Sequence, residues 1–101
     1  MKKIIFDNGN TISFDHEYEC CEDNYADFSV LTKDNVNYDY NFDEYLIFEA
    51  VEELGFKFGS DERWIFIPCY SEQNGYYTDE IDIYYNGKKV LRFDAQEILN
   101  W

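Results

Sequence analysis

The chain has 101 residues with 46% hydrophobic and 21% aromatic content, which fits one domain with one core and excludes a disordered acidic tail. Its formal net charge of −14 excludes nucleic acid and anionic membranes as direct partners, because like charges repel. Lys2-Lys3 is followed by only a short apolar run, and no run is long enough to span a bilayer, so we expect one cytoplasmic domain over residues 1–101.

The first predicted element is a hairpin. Asn8-Gly9 is typical of a hairpin turn. A three-residue loop over residues 7–9 pairs Ile4 with Ile12 and gathers the apolar side chains of both strands on one face. The second strand, residues 11–18, alternates between apolar and polar side chains. Its outward face is acidic and carries Asp15, Glu17 and Glu19.

A helix is predicted near the middle of the chain. Residues 27–32 and 36–40 read as another pair of strands, and Asn41 then has the position of a helix N-cap. Apolar residues recur at helical spacing up to residue 54, and Gly55 fits a helix C-cap. We therefore expect a central helix over about residues 41–54. Its outer face is acidic and carries Glu49, Glu52 and Glu53.

Strands return in the last third of the chain. Residues 63–69 are apolar at successive positions, which predicts a buried strand with either its end or a bulge at Pro68. Asn86-Gly87 indicates a last hairpin, and a three-residue loop that also includes Tyr85 brings Glu80 opposite Arg92. Asp94 with Glu97 would cap a short C-terminal helix. The predicted fold is α+β, an antiparallel sheet built from hairpins with one central helix packed on it.

The sequence offers little for catalysis. His16 is the only histidine, and the strand alternation places it with Ile12 and Phe14 on the core side. A Ser-His-Asp or Cys-His centre would have to use this residue, so we expect no enzyme activity. Cys20 and Cys21 are adjacent and would point to opposite faces of a strand, which does not suit a zinc site. We expect neither a metal nor a cofactor.

The distribution of charge suggests a binding surface instead. Between Ile4 and Phe56, Lys33 is the only basic residue. Carboxylates on alternate strand residues stand about 6.6 Å apart, comparable with the phosphates of a nucleic acid strand. The candidate acidic residues are Asp15, Glu17, Glu19, Glu22, Asp23 and Asp27 in one row and Glu49, Glu52 and Glu53 in a second. Tyr76, Tyr77 and Tyr84 are further candidates, because exposed tyrosines are enriched at interfaces.

In size, charge, lack of catalytic motifs and the acidic clusters 15–27 and 49–53, the chain resembles the small acidic inhibitors that phages encode against host defences, such as anti-CRISPR proteins and other DNA mimics. The resemblance implies occlusion of the basic nucleic-acid-binding groove of a nuclease or defence effector. Two alternatives stay open. One is an immunity protein that neutralises a basic toxin nuclease. The other is a small enzyme or ligand-binding domain, which a pocket with a carboxyl of raised pKa would favour.

Overall fold

The computed structural model describes residues 3–5, 9–17, 22–32, 46–60 and 63–99. Of these residues, 68% lie in strands. Within the described ranges, no helix has the length and apolar character needed to cross a membrane. The elements in chain order are β1 (Lys3–Ile5), β2 (Thr11–Asp15), β3 (Asp23–Ala26), a 3-10 helix (Phe28–Thr32), β4 (Ile47–Val51), β5 (Gly55–Ser60), β6 (Arg63–Gln73), β7 (Glu80–Tyr85), β8 (Lys88–Asp94) and β9 (Gln96–Leu99).

The strands form two sheets. Sheet 1 has the order β1-β2-β7-β8, and all its neighbouring strands are antiparallel. Sheet 2 has the order β3-β6-β5-β4, also antiparallel, and β9 adds a parallel pairing with β6. The chain passes from sheet 1 to sheet 2 at Ala95, whose amide donates to the carbonyl of Asp79 at 2.8 Å.

The core lies between the two sheets. The ring of Phe56 in sheet 2 is 6.2 Å from that of Phe93 in sheet 1, and Phe48 and Tyr85 meet at 5.3 Å. Full burial of one such side chain contributes about 1.5–3 kcal/mol to the free energy of folding. The buried apolar residues are Ile12, Phe14, Ala26, Phe28, Leu31, Phe56, Phe58, Ile67, Cys69, Ile81, Ile83, Phe93 and Ala95.

The register of the first hairpin is confirmed. Ile4 pairs with Ile12, and Ile12 is fully buried in the core. Gly9 has a φ of 91°, the left-handed conformation expected at the end of a three-residue loop. Strand β2 ends at Asp15 rather than continuing to residue 18.

The last hairpin has its apolar residues on the core face as predicted, but its turn and register differ from the prediction. A three-residue loop would set Ile81 opposite Leu91. Instead Ile83 faces Leu91, and Tyr85 pairs with Lys88, so the turn contains only Asn86 and Gly87. Both turn residues have positive φ, 51° and 83°, as a type I′ turn requires. A register shift between Ile83 and Tyr84 restores the inward face. As a result, Arg92 lies opposite Asp82 rather than Glu80.

The predicted central helix is wrong. Residues 41–45 lie outside the described residues, and the rest of the predicted helix is strand β4 followed by a turn. Phe48 stacks on Phe58 of β5, with ring centroids 5.9 Å apart and planes 21° from parallel. The same run of apolar residues fits a helix by spacing and a strand by its β-branched and aromatic content. Pairing with β5 decides in favour of the strand, because it packs Phe48 against the core.

The predicted C-terminal helix is also wrong. Residues 96–99 form β9, which extends sheet 2 beside the second half of β6. A distant strand edge supplied the hydrogen-bond partners here, which no local pattern reveals. The fold is therefore an arrangement of two sheets and not α+β with a central helix.

Two further strand predictions need correction. Residues 28–32 form a 3-10 helix, because the Asp27 carboxylate accepts from the Ser29 amide at 3.0 Å and turns the chain; residues 36–40 lie outside the described part. Strand β6 does not end at Pro68. The Pro68 carbonyl accepts from the Asp27 amide at 2.8 Å, and the strand runs on to Gln73 with β3 and β9 as neighbours.

Candidate protein interface

The predicted acidic row on β2 begins as expected. Asp15 and Glu17 are both exposed, whereas Glu19 lies outside the described residues. Asp15 lies directly opposite Asp82 of β7, and the Asp15 carboxylate accepts from the His16 amide at 2.8 Å. The outer face of sheet 1 thus carries carboxylates from both β2 and β7. The sequence predicted those of β2.

Basic side chains lie among these carboxylates. Arg92 holds Asp82 with two hydrogen bonds, Nε to Oδ1 at 2.7 Å and Nη2 to Oδ2 at 3.2 Å. Lys89 lies 3.5 Å from the same carboxylate, and Glu80 lies 3.4 Å from Arg92. The hydrogen bond from Arg92 lowers the pKa of Asp82 despite its burial, and the charges of Arg92 and Lys89 act in the same direction. Basic side chains of sheet 1 therefore neutralise part of the negative charge on its own outer face.

Arg92 responds to the same set of charges. Its pKa is raised, first by the hydrogen bond and charge of Asp82, then by the charges of Glu80 and Glu17. Because Arg92 and Lys89 lie among the carboxylates of this face, the row offers a weaker imitation of a phosphate backbone than the sequence suggested.

Glu22 does not belong to any surface row. Only 1% of it is exposed, and its Oε1 lies 3.9 Å from Nδ1 of His16. His16 itself is largely covered, with 9% of its side chain exposed, as its predicted core side requires. The prediction of Glu22 as a partner-binding residue is not supported by its burial. The burial of Glu22 depends on its contact with His16, which the local sequence around Glu22 does not reveal.

Asp23 begins β3 of sheet 2 and Asp27 directly follows that strand, so neither lies on sheet 1. Asp23 is exposed and directly opposite Glu72 of β6, a like-charge pair that costs stability. Asp27 is half-buried and accepts from both the amide and the hydroxyl of Ser29, at 3.0 and 2.5 Å. The first predicted row is therefore divided between the two sheets.

The second predicted row does not exist as a helix face. Glu49 is on β4 and forms an ion pair with Lys57 at 3.3 Å, while Glu52 and Glu53 are exposed in the turn between β4 and β5. Glu53 has a φ of 64°, a left-handed conformation that closes this turn. The three carboxylates remain near one another in the chain, but they do not form a ladder.

The candidate tyrosines also separate. Tyr76 is 86% exposed and Tyr77 is half-buried, both in the segment between β6 and β7. Tyr84 is half-buried on β7 opposite Ser13, on the outer face of sheet 1. Tyr76 thus matches the prediction of an exposed aromatic side chain, while the other two are partly covered.

A buried polar network fixes the segment that carries Tyr76 and Tyr77. Asn24 donates to the carbonyls of Thr78 and Glu80 at 2.9 and 3.0 Å, and accepts from Ser71 at 2.5 Å. Gln73 donates to Ser71 at 2.8 Å and accepts from the Tyr77 amide at 2.7 Å. These contacts tie the segment to β3 and β6.

Sequence reasoning missed the outer face of sheet 2. On β6, Ile65 and Ile67 point inward, whereas Trp64 is 37% and Phe66 is 44% exposed. Tyr70 follows on the same side and meets Tyr25 of β3, with ring centroids 5.7 Å apart. We call the outward set the aromatic face; it consists of Tyr25, Ile47, Trp64, Phe66 and Tyr70. Alternation of aliphatic and aromatic residues along 64–67 was the signal that would have revealed it.

Carboxylates surround the aromatic face. The pKa of Tyr25 is raised by burial first and then by the negative charges of Glu72, Asp23 and Asp27. At the other side, Glu49 holds Lys57, whose ammonium lies 4.7 Å from the Trp64 ring centroid. Among the described side chains of lysine and arginine, Lys57 is the one that lies on this face.

Two concave regions lie beside these surfaces. A cleft of about 510 Å³ runs along β3 and includes His16, Asp23, Tyr25 and Asp27 in its walls. A groove of about 350 Å³ is lined by the carboxyl residues Glu53, Asp79, Asp94 and Glu97. No group of three or more histidine, cysteine or carboxylate side chains in the described ranges is arranged to hold a metal ion.

One carboxyl in the smaller groove has a raised pKa. Burial raises the pKa of Asp79 most, and the carboxyl of Glu97 and the charge of Asp94 raise it further. Cys69 has a pKa raised to about 12 by burial, so its thiol is an inert core group.

Comparison with protein-family models, with curated proteins and with solved structures finds no match. The functional proposal therefore depends on the geometry and charge of the chain itself.

Proposed function

We propose that this chain is a non-catalytic inhibitor that binds a basic partner protein and occludes its nucleic-acid-binding groove. The observation that carries the proposal is a set of exposed carboxylates that form no ion pair with any other described residue. Like charges held at a surface cost folding stability, and a basic partner would remove that cost on binding. These carboxylates belong to Asp15, Glu17, Asp23, Glu52, Glu53, Asp94 and Glu97.

The charge of the whole chain supports the same proposal. At −14, the chain would be steered toward clusters of lysine and arginine, such as those that hold phosphates in nucleic-acid-binding proteins. The partner would be a nuclease or defence effector, and the same chemistry fits a toxin nuclease neutralised by an immunity protein. The identity of the partner separates these two cases.

The alternative of a small enzyme has one observation in its favour, the raised pKa of Asp79 in a groove. The neighbouring Glu97 and Asp94 and the burial of the group account for this pKa. The other titratable groups that line the groove in the described structure are carboxyls, with no histidine, cysteine or lysine to complete an acid–base or nucleophilic pair. Binding remains the better proposal.

Competition with nucleic acid tests the proposed function. The tagged chain would be used to capture its partner from source cells, and the purified partner would then be offered a DNA duplex and the chain together. We expect mutually exclusive binding, because both ligands would use one basic groove. A partner that binds the duplex and the chain at the same time would overturn the proposal.

A charge-depleted variant provides the matched test. Asp23→Asn with Glu52→Gln and Glu53→Gln should weaken binding by roughly tenfold, since exposed charges contribute modestly one by one. The control is Lys88→Gln, which removes an exposed positive charge from the turn end of β8 and should leave affinity unchanged or slightly higher.

A further inference from the structure

The aromatic face is unusual in its exposure. Trp64 and Phe66 are 37% and 44% exposed on adjacent outward positions of β6, and Ile47 is 41% exposed across the sheet. Outward neighbours on one strand stand about 6.6 Å apart, so the rings lie in line. Gly59 lies between Trp64 and Ile47 and adds no side chain to cover either of them. Exposed apolar side chains grouped in this way mark an interaction site more often than an isolated exposed residue does.

The charges around this face indicate what it binds. Asp23 and Asp27 lie beside Tyr25 at one side, and Glu49 lies at the other. Lys57 already shows how a cation is held here, between the Glu49 carboxylate and the Trp64 ring. Arginine suits such a surface better than lysine, because a guanidinium stacks on aromatic rings and donates two parallel hydrogen bonds to a carboxylate.

We propose that the aromatic face is the docking surface of the chain, and that its partner is a protein surface with arginine side chains flanking an apolar centre. The inference rests on the proposed function of binding a basic partner and specifies where that partner docks. The aromatic rings form the desolvated centre, and the carboxylates of Asp23, Asp27 and Glu49 form the rim. Sheet 1 is the weaker candidate, because two described cations, Arg92 and Lys89, hold its carboxylates, whereas the one described cation on the aromatic face, Lys57, pairs with Glu49 and leaves Asp23 and Asp27 to a partner.

Trp64 supplies a direct readout. The chain has two tryptophans, so Trp101→Phe leaves Trp64 as the only one. The probe is a synthetic peptide of alternating arginine and leucine, with peptides of lysine and leucine and of arginine alone as comparisons. We expect the arginine–leucine peptide to bind most tightly and to shift Trp64 emission to shorter wavelength, because the ring leaves water.

The paired variants locate the surface. Trp64→Ala with Phe66→Ser should weaken binding of the arginine–leucine peptide by about tenfold or more. Asp15→Ser with Glu17→Gln, on sheet 1, should change it by less than about threefold. Both side chains of the first variant point away from the core, so its thermal unfolding should remain cooperative. If the Trp64→Ala, Phe66→Ser variant does not fold, the emission shift of Trp64 in the Trp101→Phe chain still tests whether the peptide binds at the aromatic face.

Three outcomes would overturn the inference. If the peptide binds in a salt-dependent manner but Trp64 emission does not change and the sheet 1 variant loses affinity, the docking surface is elsewhere while the proposed function stands. If no basic peptide binds with any salt dependence, the proposed function fails as well. If Trp64 emission shifts with protein concentration alone, the occupant of the face is a second copy of this chain.

Discussion

Asp79 and Asp82 lie close together in the chain and have pKa values perturbed in opposite directions. The pKa of Asp79 is raised by burial and by the carboxyls of Glu97 and Asp94, whereas the pKa of Asp82 is lowered by its hydrogen bond with Arg92. A carboxyl with a raised pKa binds its proton more tightly in the folded state, so its contribution to stability is present below its ordinary pKa and lost as the pH rises through the raised value. Asp82 behaves in the reverse way, and its contribution is lost as the pH falls through the lowered value.

Replacing Asp79 should therefore stabilise the protein at neutral pH. Asp79→Asn keeps an oxygen for the hydrogen bond from Gln73, which is 2.7 Å long, and removes repulsion from Glu97 and Asp94. We expect a higher thermal midpoint at about pH 7 and no gain at about pH 3.5, where the native carboxyl is protonated. The matched variant Asp82→Asn should lower the midpoint at pH 7. An Asp79→Asn gain that is equal at both pH values would contradict this assignment of repulsion.

Single residues were predictable where their strand face decided their environment. The core side of Ile12 and the exposure of Asp15 follow from strand alternation, and the exposure of Tyr76 follows from its place beside Gly75. Glu22 was not predictable, because an acidic residue in an acidic run gives no local sign that it is buried beside His16. Its environment is created by a residue on another segment of the chain.

Strand β4 shows the limit of prediction at the level of an element. Its apolar spacing fits a helix, and only the pairing of Phe48 with Phe58 makes the strand favourable. The hairpins were more predictable, because Asn-Gly turns and facing apolar residues are close in sequence. β9 was the least predictable element, since its partner β6 is distant in the chain and the two strands are parallel.

The turn between β4 and β5 depends on Gly55. A Cβ atom at this position would overlap the carbonyl oxygen of Ile67 on β6 and lie 2.9 Å from Cα of Pro68. Because both contacts are with backbone, Gly55→Ala should cost about 3 kcal/mol or more in the free energy of unfolding. The control is Gly87→Ala, which has open space around the Cβ but a φ of 83°, and should cost only about 1–2 kcal/mol. Denaturant titration of both variants measures the difference, and an equal cost would refute the overlap.

The buried polar network joins β3 and β6 to the segment between β6 and β7. Asn24→Ala would leave the Thr78 and Glu80 carbonyls and the Ser71 hydroxyl without this partner in a buried region. We expect a loss of roughly 1–3 kcal/mol in the free energy of unfolding. The control Asn74→Ala removes a more accessible acceptor of the Tyr76 amide and should cost less than about 0.5 kcal/mol. Equal effects would show that the network does not stabilise the fold.

The whole molecule combines an ordinary core with an unbalanced surface. The thermal midpoint should rise when sodium chloride is increased from roughly 10 to 500 mM, because salt screens repulsion between exposed carboxylates. Asp23→Asn with Glu52→Gln and Glu53→Gln should reduce this dependence, since three exposed charges are removed. A midpoint that falls with salt would mean that attractive ion pairs, such as that of Asp82 with Arg92, outweigh the repulsion.

Prediction at this largest scale was mixed. Net charge is a property of the sequence, and the proposal of a binding function follows from it without a structure. The division of the acidic residues between two sheets, and the aromatic face on sheet 2, depend on strand order and could not be derived from spacing alone. The acidic residues therefore do not form the two rows that the sequence predicted, although the net negative charge is unchanged.

The association rate with the captured partner, measured over a salt series, tests the central proposal of electrostatic binding most directly. Steering by a net charge of −14 should give a rate that falls steeply as ionic strength rises, since screening acts within about 8 Å at physiological salt. The charge-depleted variant of Asp23, Glu52 and Glu53 should show a shallower slope and a slower rate at low salt. An association rate that does not change with salt in either protein would contradict the proposed function.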